Sequence, residues 1–331
     1  MAITTTNYRD DIVWINLDLP CGIKATLCNY GASVYSLSLE NAPLILTLED
    51  KEEFLNCPQY FGKTLGRVAG RIDCNVNLGG ENFKLTPTKD FTYSLHGGDA
   101  NSLSYKVWNF KTKETMRKNI VSFSIVDPDG ENGFPGKATI KVIYTFYKNK
   151  PILRIDFKGK TNKETYMNLS NHMYFSFNGD LDISDYKLKM PCSHYGDVDE
   201  TVFIKETKQV PNELDFRRGT KLGPRLQYLE NNSFLKTIDN TFLFDKVRTT
   251  KPQVILKSKD FSLKLYTDYP AFNIYVDNSQ TPVKFINNPD FDMRRGIALE
   301  PQLYNLNLDS LKLNKGDKYK HIIKYKFKKI K

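Results

Sequence analysis

Between Ile140 and Phe157 the chain shows its organising pattern most clearly. Ile140, Val142, Tyr144 and Phe146 alternate with Lys141, Ile143 and Thr145, then Asn149, Lys150 and Pro151 interrupt, and Leu153, Ile155 and Phe157 resume the alternation. Successive side chains of a strand point to opposite faces, so a period of two predicts strands with one face on a core, here joined as a hairpin. Similar runs rich in β-branched and aromatic residues occur at Val121 to Val126, Tyr186 to Met190, Phe261 to Leu265 and Phe272 to Val276, separated by Gly, Pro, Asn and Asp. Helix-period stretches are short: Leu48 to Leu55, and Arg225 to Glu230. No internal repeat, low-complexity block or linker divides the chain. The pattern predicts an all-β protein with two or more large sheets packed face to face, read as one domain over 1–331, with two domains as the alternative.

Composition adds little to that picture but removes several function classes. With 331 residues, 40% hydrophobic and 26% charged, the chain has ample material for a large core. The stretch from Met1 to Leu17 has neither a basic leader nor an uninterrupted apolar run, and no segment approaches the ~20 apolar residues that span a bilayer. The chain therefore reads as neither secreted nor membrane-spanning. Five cysteines, Cys21, Cys28, Cys57, Cys74 and Cys192, are odd in number and lack any C-x-x-C pair. They suit neither a disulfide framework nor a zinc ribbon, and reduced thiols point to the cytoplasm.

A net charge of +10 raises the question of nucleic acid. Its location answers it: Lys312 to Lys331 holds nine lysines and one acid, Asp317, so this tail carries +8 and the rest of the chain +2. Within the tail Ile323, Tyr325 and Phe327 alternate with Lys324, Lys326 and Lys328, the pattern of a strand with one wet face. A solvated or edge-protecting lysine face is the expectation, with no nucleic-acid partner.

Cofactor motifs are absent. Gly62-Lys63-Thr64 and Gly136-Lys137-Ala138 resemble the end of a phosphate loop, but the glycine required five positions earlier is Cys57 in one and Glu131 in the other. There is no G-x-S-x-G elbow, no G-x-G-x-x-G after a strand, and no H-x-x-x-H or H-E-x-x-H for zinc. No cofactor and no metal are expected. Of the four histidines, His194 and His321 have plain surroundings, whereas His96 lies in Ser94-Leu95-His96-Gly97-Gly98 and His172 in a run of amides and aromatics from Asn168 to Phe175. Paired glycines allow a tight turn and close approach of a ligand, although either histidine alone could be an ordinary hydrogen-bonded residue of a sheet or turn.

Six stretches in order make a specific resemblance: YFGKTLGRVAGRI at Tyr60 to Ile72, LHGG at Leu95 to Gly98 with Trp108 beyond, DGENGFPG at Asp129 to Gly136, NLSNHMYFSFNG at Asn168 to Gly179, VPNELDFR at Val210 to Arg217, and LEPQ at Leu299 to Gln302. Together with the closing strand Leu313 to Phe327 they resemble the aldose 1-epimerase (galactose mutarotase) family. The resemblance implies a large antiparallel β-sandwich whose concave face binds a monosaccharide, working as a monomer or homodimer. It implies Glu300 as the base and His172 as the acid of ring opening, His96 beside the C1 oxygen or the ring, and Arg71 and Asp239 on sugar hydroxyls. Outside the resemblance, Arg71 could be a surface ion-pair partner and Asp239 a turn residue.

The chemistry is independent of the name. Interconverting the α and β forms of a cyclic sugar removes a proton from the C1 hydroxyl while the ring oxygen gains one, and reverses both after rotation about C1–C2. A carboxylate with an ordinary pKa of ~4.3 and a histidine near ~6.5 suit the two roles at neutral pH, the carboxylate ionised and favouring a protonated imidazole.

The sequence departs from the family pattern at three places. Gly70 stands where an asparagine is common, Asn240-Thr241 follow Asp239 where His-Asn is usual, and Leu303, Tyr304, Asn305 and Leu306 replace a His, aromatic, Pro, Asp continuation. These changes are expected at the pocket rim and leave the preferred sugar open. Three other readings stand beside the main one. A hexose-6-phosphate epimerase would need cations near C6, with Arg67, Arg217, Arg218, Arg294 and Arg295 as candidates. A carbohydrate-binding protein would keep the fold without turnover. A metal-dependent isomerase would use His96, His172 and Glu300 as ligands.

Overall fold

The computed structural model describes residues 3–278, 283–286 and 294–330. Three large sheets carry the architecture, and every pairing within them is antiparallel. The first is a five-stranded meander in chain order from Thr4–Arg9 to Ala42–Pro43. The second has nine strands, and the predicted hairpin lies inside it: Ala138–Tyr147 pairs with Ile152–Thr161, which pairs in turn with Tyr319–Lys329. The third has six strands in the order Tyr174–Phe175, Ile297–Gln302, Ala271–Val276, Asp239–Leu243, His194–Val198, Ile204–Gln209.

One large core joins these sheets. Phe123, Tyr144, Ile155, Phe157, Ile323, Tyr325 and Leu263 from the nine-stranded sheet meet Phe242, Phe272, Ile274, Ile297 and Leu299 from the six-stranded sheet, with Leu17 and Leu27 from the meander in the same cluster. Alternation is what makes this possible. In the central strands the residues of one parity enter the core and the other parity is left for solvent or for a site, whereas the edge strands Thr4–Arg9 and Ile204–Gln209 are exposed along nearly their whole length. The two helix-period stretches form Lys51–Asn56 and Leu222–Asn232. Asp50 caps the first, its side chain accepting from the Glu52 N–H. Among the described residues no helix is long and apolar enough to cross a membrane.

Of the two readings of the lysine face, the solvated one holds and the edge-protecting one does not. Tyr319–Lys329 is not an edge strand but pairs on both sides, with Ile152–Thr161 and with Phe261–Thr267. Its lysines stand on the solvated face opposite other cations, Lys320 across from Lys158 and Lys326 across from Lys264. Charge on this strand protects no edge. It keeps water against the exposed face of the sheet's centre, with Lys331 outside the described residues.

Candidate active site

The face of the six-stranded sheet turned away from the core supplies one wall of a cavity of ≈ 750 Å³, within the usual size of a small-molecule site. Register explains which residues stand there. Asn273 lies opposite Glu300, Thr241 opposite Asn273, Tyr275 opposite Ala298, and Asp239 opposite Tyr275. With Gln302 two residues beyond Glu300, Asp239, Thr241, Asn273, Tyr275 and Glu300 all line the cavity, while the alternate residues Phe272, Ile274 and Leu299 enter the core. Asn240 takes the other parity and is not among the lining residues, so of the Asn240-Thr241 departure only Thr241 touches the pocket. Of the remaining departures, Gly70 and Asn305 line it and Leu303, Tyr304 and Leu306 do not.

His172 enters from a different element. Ser170–Asn171 pairs with Thr64–Leu65 and Tyr174–Phe175 pairs with Ile297–Ala298, so the residue between them is held from both sides. The His172 N–H donates to Lys63 O at 3.0 Å and its carbonyl accepts from the Gly62 N–H at 2.9 Å. The imidazole packs between Tyr174 and Tyr60, and its Nε2 lies 3.4 Å from Glu300 Oε1, both side chains being almost fully buried. Neither oxygen of Glu300 has a hydrogen-bond partner of good geometry, nor has His172 Nδ1. Buried polar atoms are ordinarily satisfied, so a carboxylate left open at a cavity is set to receive donors from a ligand.

His96 comes from the glycine-rich turn. Tyr93–Leu95 pairs with Arg71–Asp73, and the His96 N–H donates to Gly70 O at 3.0 Å. In return the Gly70 N–H donates to His96 Nδ1 at 3.1 Å. The turn requires Gly97: a Cβ there would lie 2.0 Å from Gly66 O, at a φ of +95°. Arg71 and Asp239 form an ion pair at 2.8 Å, and Asn273 Nδ2 donates to Asp239 Oδ1 at 3.3 Å. The structure thus brings all five predicted site residues to one cavity. Arg71 is an ion-pair partner, but within the cavity wall and not on the open surface, and Asp239 stands in a strand and not a turn.

The electrostatics overturn one expectation. Burial drives the Glu300 carboxyl up to about 8, helped by the Asp239 carboxylate and opposed by Asn273 and Arg71. Burial also lowers His172 to about 4, against weaker support from backbone hydrogen bonding and Asp239. His96 is held well below its ordinary value by burial, then by His172 and Arg71. Both shifts favour the neutral pair, with the proton on Glu300 and His172 uncharged. The ionised carboxylate and protonated imidazole expected from ordinary values are displaced because desolvation outweighs their mutual attraction.

Residues 14–326 match the family model for Aldose 1-epimerase. The chain belongs to the aldose 1-epimerase family. It is 29% identical over 318 residues to an aldose 1-epimerase of Haemophilus influenzae, spanning 90% of this chain and 89% of that one. It is 26% identical over 324 residues to human galactose mutarotase, spanning 92% and 91%. The crystal structure of a galactose 1-epimerase from Lactobacillus acidophilus superposes with a TM-score of 0.88 at 26% identity, covering 99% of both chains.

Within this family framework the sugar-phosphate and metal readings can be weighed on geometry. None of the five arginines proposed for a phosphate lines the cavity. Arg67 is buried on Asp127, Arg217 pairs with Asp215, Arg294 with Glu230 and Arg295 with Asp277. Chain folding places these cations elsewhere for reasons that sequence spacing does not show. For metal, the nitrogen and oxygen atoms of His96, His172 and Glu300 lie within 4.8 Å of one another. However, the Gly70 N–H occupies the lone pair of His96 Nδ1, which puts that ring's proton on Nε2. A ring nitrogen carrying a proton donates a hydrogen bond and cannot ligate a metal. His96 thus suits a sugar oxygen better than a cation. Exhaustive chelation is expected to leave anomer exchange unchanged, and a loss reversed by added divalent metal would restore the metal reading.

Sequence reasoning missed Tyr60, Tyr105, Tyr275, Asn273 and Gln302, which also line the cavity. Asn273 had a usable signal, a lone amide in the apolar run Ala271 to Val276. The tyrosines had none, since aromatic residues are equally at home in the core.

Proposed function

We propose that this protein interconverts the α and β anomers of a free aldohexose, Glu300 and His172 moving the protons. The supporting observation is the buried pair itself, His172 Nε2 and Glu300 Oε1 3.4 Å apart at one cavity, with neither carboxylate oxygen held by a hydrogen bond of good geometry among the described residues. As the ring opens, Glu300 takes the proton of the C1 hydroxyl and His172 delivers one to the ring oxygen. The pair then stands as a neutral carboxylic acid beside a neutral imidazole. That is the form burial favours in the empty pocket, so the resting site is electrostatically matched to the open-chain aldehyde. The ion-paired form required by the closed ring arises when sugar hydroxyls donate to the open carboxylate oxygens. After rotation about C1–C2 the same two groups run in reverse and close the ring on the other face.

His96, with its proton on Nε2, is placed to donate to the C1 oxygen or the ring oxygen. The Arg71–Asp239 pair offers a donor and an acceptor to neighbouring hydroxyls. We take the chain to act as a single domain, supported by the one core cluster that runs from Ile15 to Phe327 through all three sheets. A cytoplasmic location is supported by the five free cysteines, four of them buried.

The decisive measurement is NMR exchange between anomers of glucose, galactose, xylose and glucose 6-phosphate. Accelerated exchange of free aldoses is expected. Acceleration of glucose 6-phosphate alone would favour the sugar-phosphate epimerase, and binding without exchange the carbohydrate-binding protein.

The pH dependence of kcat/KM follows from the pair. Below about 4 a second proton reaches His172 while Glu300 is still protonated, and no base remains. Above about 8 Glu300 loses the only proton, and no acid remains. A bell with limbs near those values is expected, wider than ordinary pKa values would produce. A basic limb near 6.5 would show that the ordinary histidine value governs instead.

A further inference from the structure

We infer that Gly70 and Asn305 are a matched pair in which an amide from Asn305 occupies the place of a side chain at position 70 and fixes the posture of His96 and Arg71. The inference deepens the proposed epimerase reading and rests on it. It concerns two departures that the sequence presents as unrelated, since they lie 235 residues apart in the chain.

The geometry ties them together. Gly70 has a φ of +76°, and a Cβ built there would come within 2.7 Å of Asn305 Nδ2 and 3.1 Å of Gln302 Nε2. Real Cβ atoms do not approach so closely, so the Asn305 amide stands where a residue-70 side chain would go. A left-handed φ is open to glycine and, among other residues, is most readily taken by asparagine and aspartate. An asparagine at position 70 would therefore fit the backbone, and what the fold lacks there is the space.

Asn305 is fully engaged. Its Nδ2 donates to Ala69 O at 2.8 Å and to Arg71 O at 2.9 Å, the carbonyls on either side of Gly70, while its Oδ1 accepts from Asn168 Nδ2 at 2.9 Å. The Asn305 amide thus spans the three-residue segment from its outer side, beside Asn168, whose carbonyl accepts from the Ala69 N–H at 2.7 Å and whose Nδ2 donates to Ala69 O at 3.3 Å. From its inner side the segment performs two tasks: the Gly70 N–H fixes the His96 tautomer, and Arg71 presents its guanidinium to Asp239. Gly70 is tied to His96 through its own N–H and carbonyl, and the Asn305 bonds to the carbonyls on either side set the orientation in which those two groups meet the ring. Asn305, with no polar atom to spare for a sugar, is a positioning residue.

The test is a double-mutant cycle with two readouts, Michaelis parameters for anomer exchange and the ¹⁵N NMR signature of the His96 tautomer. Asn305→Ala should raise KM about tenfold with a smaller change in kcat, and His96 should shift from a single Nε2–H form to a mixture. Gly70→Asn alone should be at least as damaging, because the new side chain meets Asn305. Gly70→Asn combined with Asn305→Ala should recover at least about tenfold in kcat/KM over Gly70→Asn and restore the single tautomer, since one amide is again available for one space. Circular dichroism melting confirms that each variant is folded; if Gly70→Asn alone does not fold, recovery of a folded double variant reports the same coupling. Losses that simply multiply in the double variant, or an unchanged His96 tautomer in Asn305→Ala, would overturn the pairing. The tautomer readout needs no substrate, so it judges the pair even if the wild-type protein exchanges no sugar, an outcome that would defeat the epimerase reading alone.

Discussion

Glu300→Gln is expected to lower kcat/KM for anomer exchange by roughly 10²- to 10⁴-fold, the usual contribution of a positioned acid or base, while sugar affinity stays within about an order of magnitude. The amide keeps the size of the side chain and can still meet sugar hydroxyls, but it cannot take the C1 proton. Burial makes the substitution clean. Glu300 is 1% exposed and is protonated in the resting pocket, so a neutral amide replaces a neutral acid and leaves the net charge of the site unchanged. A loss confined to KM would show that only binding had been removed, and turnover like that of wild type would take Glu300 out of the reaction.

His172→Asn is expected to lower the rate by a similar factor, roughly 10² to 10⁴, and to erase the acid limb of the pH profile near 4, because that limb is the second proton reaching the imidazole. The falling limb near 8 should go as well, replaced by a rise in the residual rate as Glu300 ionises, because the carboxyl then acts alone as the base. His96→Asn provides the contrast. It loses a donor to the sugar and should also be slow, but both limbs should persist because the Glu300–His172 pair is intact. The rings of His96 and His172 are only 5.5 Å apart, so position alone does not separate their roles; the limbs do. An acid limb that vanished with His96 and survived loss of His172 would exchange the two assignments.

These expectations differ from ordinary solution chemistry in one respect that shows what kind of site this is. A carboxylate and an imidazole in water would be ionised and partly protonated at pH 7, ready for the closed ring. Enclosure by Tyr60, Tyr174 and the wall of the six-stranded sheet reverses that preference and stores the proton on the carboxyl. The site is therefore tuned toward the middle of the reaction, where an aldehyde and a neutral pair coexist. Substrate binding supplies the polarity that sets the cycle in motion.

The strand pattern, the turn at Asn149 to Pro151, the absence of nucleotide and zinc motifs, and the stretches resembling the aldose 1-epimerase family were all legible along the chain, because each depends on neighbours within a few residues. A period of two is local, and so is a glycine pair that makes a turn. The same locality misled where the meaning lay across strands. The lysines of Tyr319–Lys329 read equally as a solvated face or as edge protection until pairing on both sides put them at the centre of a sheet. Four of the five arginines offered for a phosphate proved to be committed to Asp127, Asp215, Glu230 and Asp277. Only tertiary structure could set Asn273 opposite Glu300, close His172 onto a carboxylate 128 residues further along, and lay Asn305 over Gly70. Protonation was beyond the sequence for the same reason: a pKa follows from how much water is excluded and which charges remain, and both are properties of packing between segments distant in the chain.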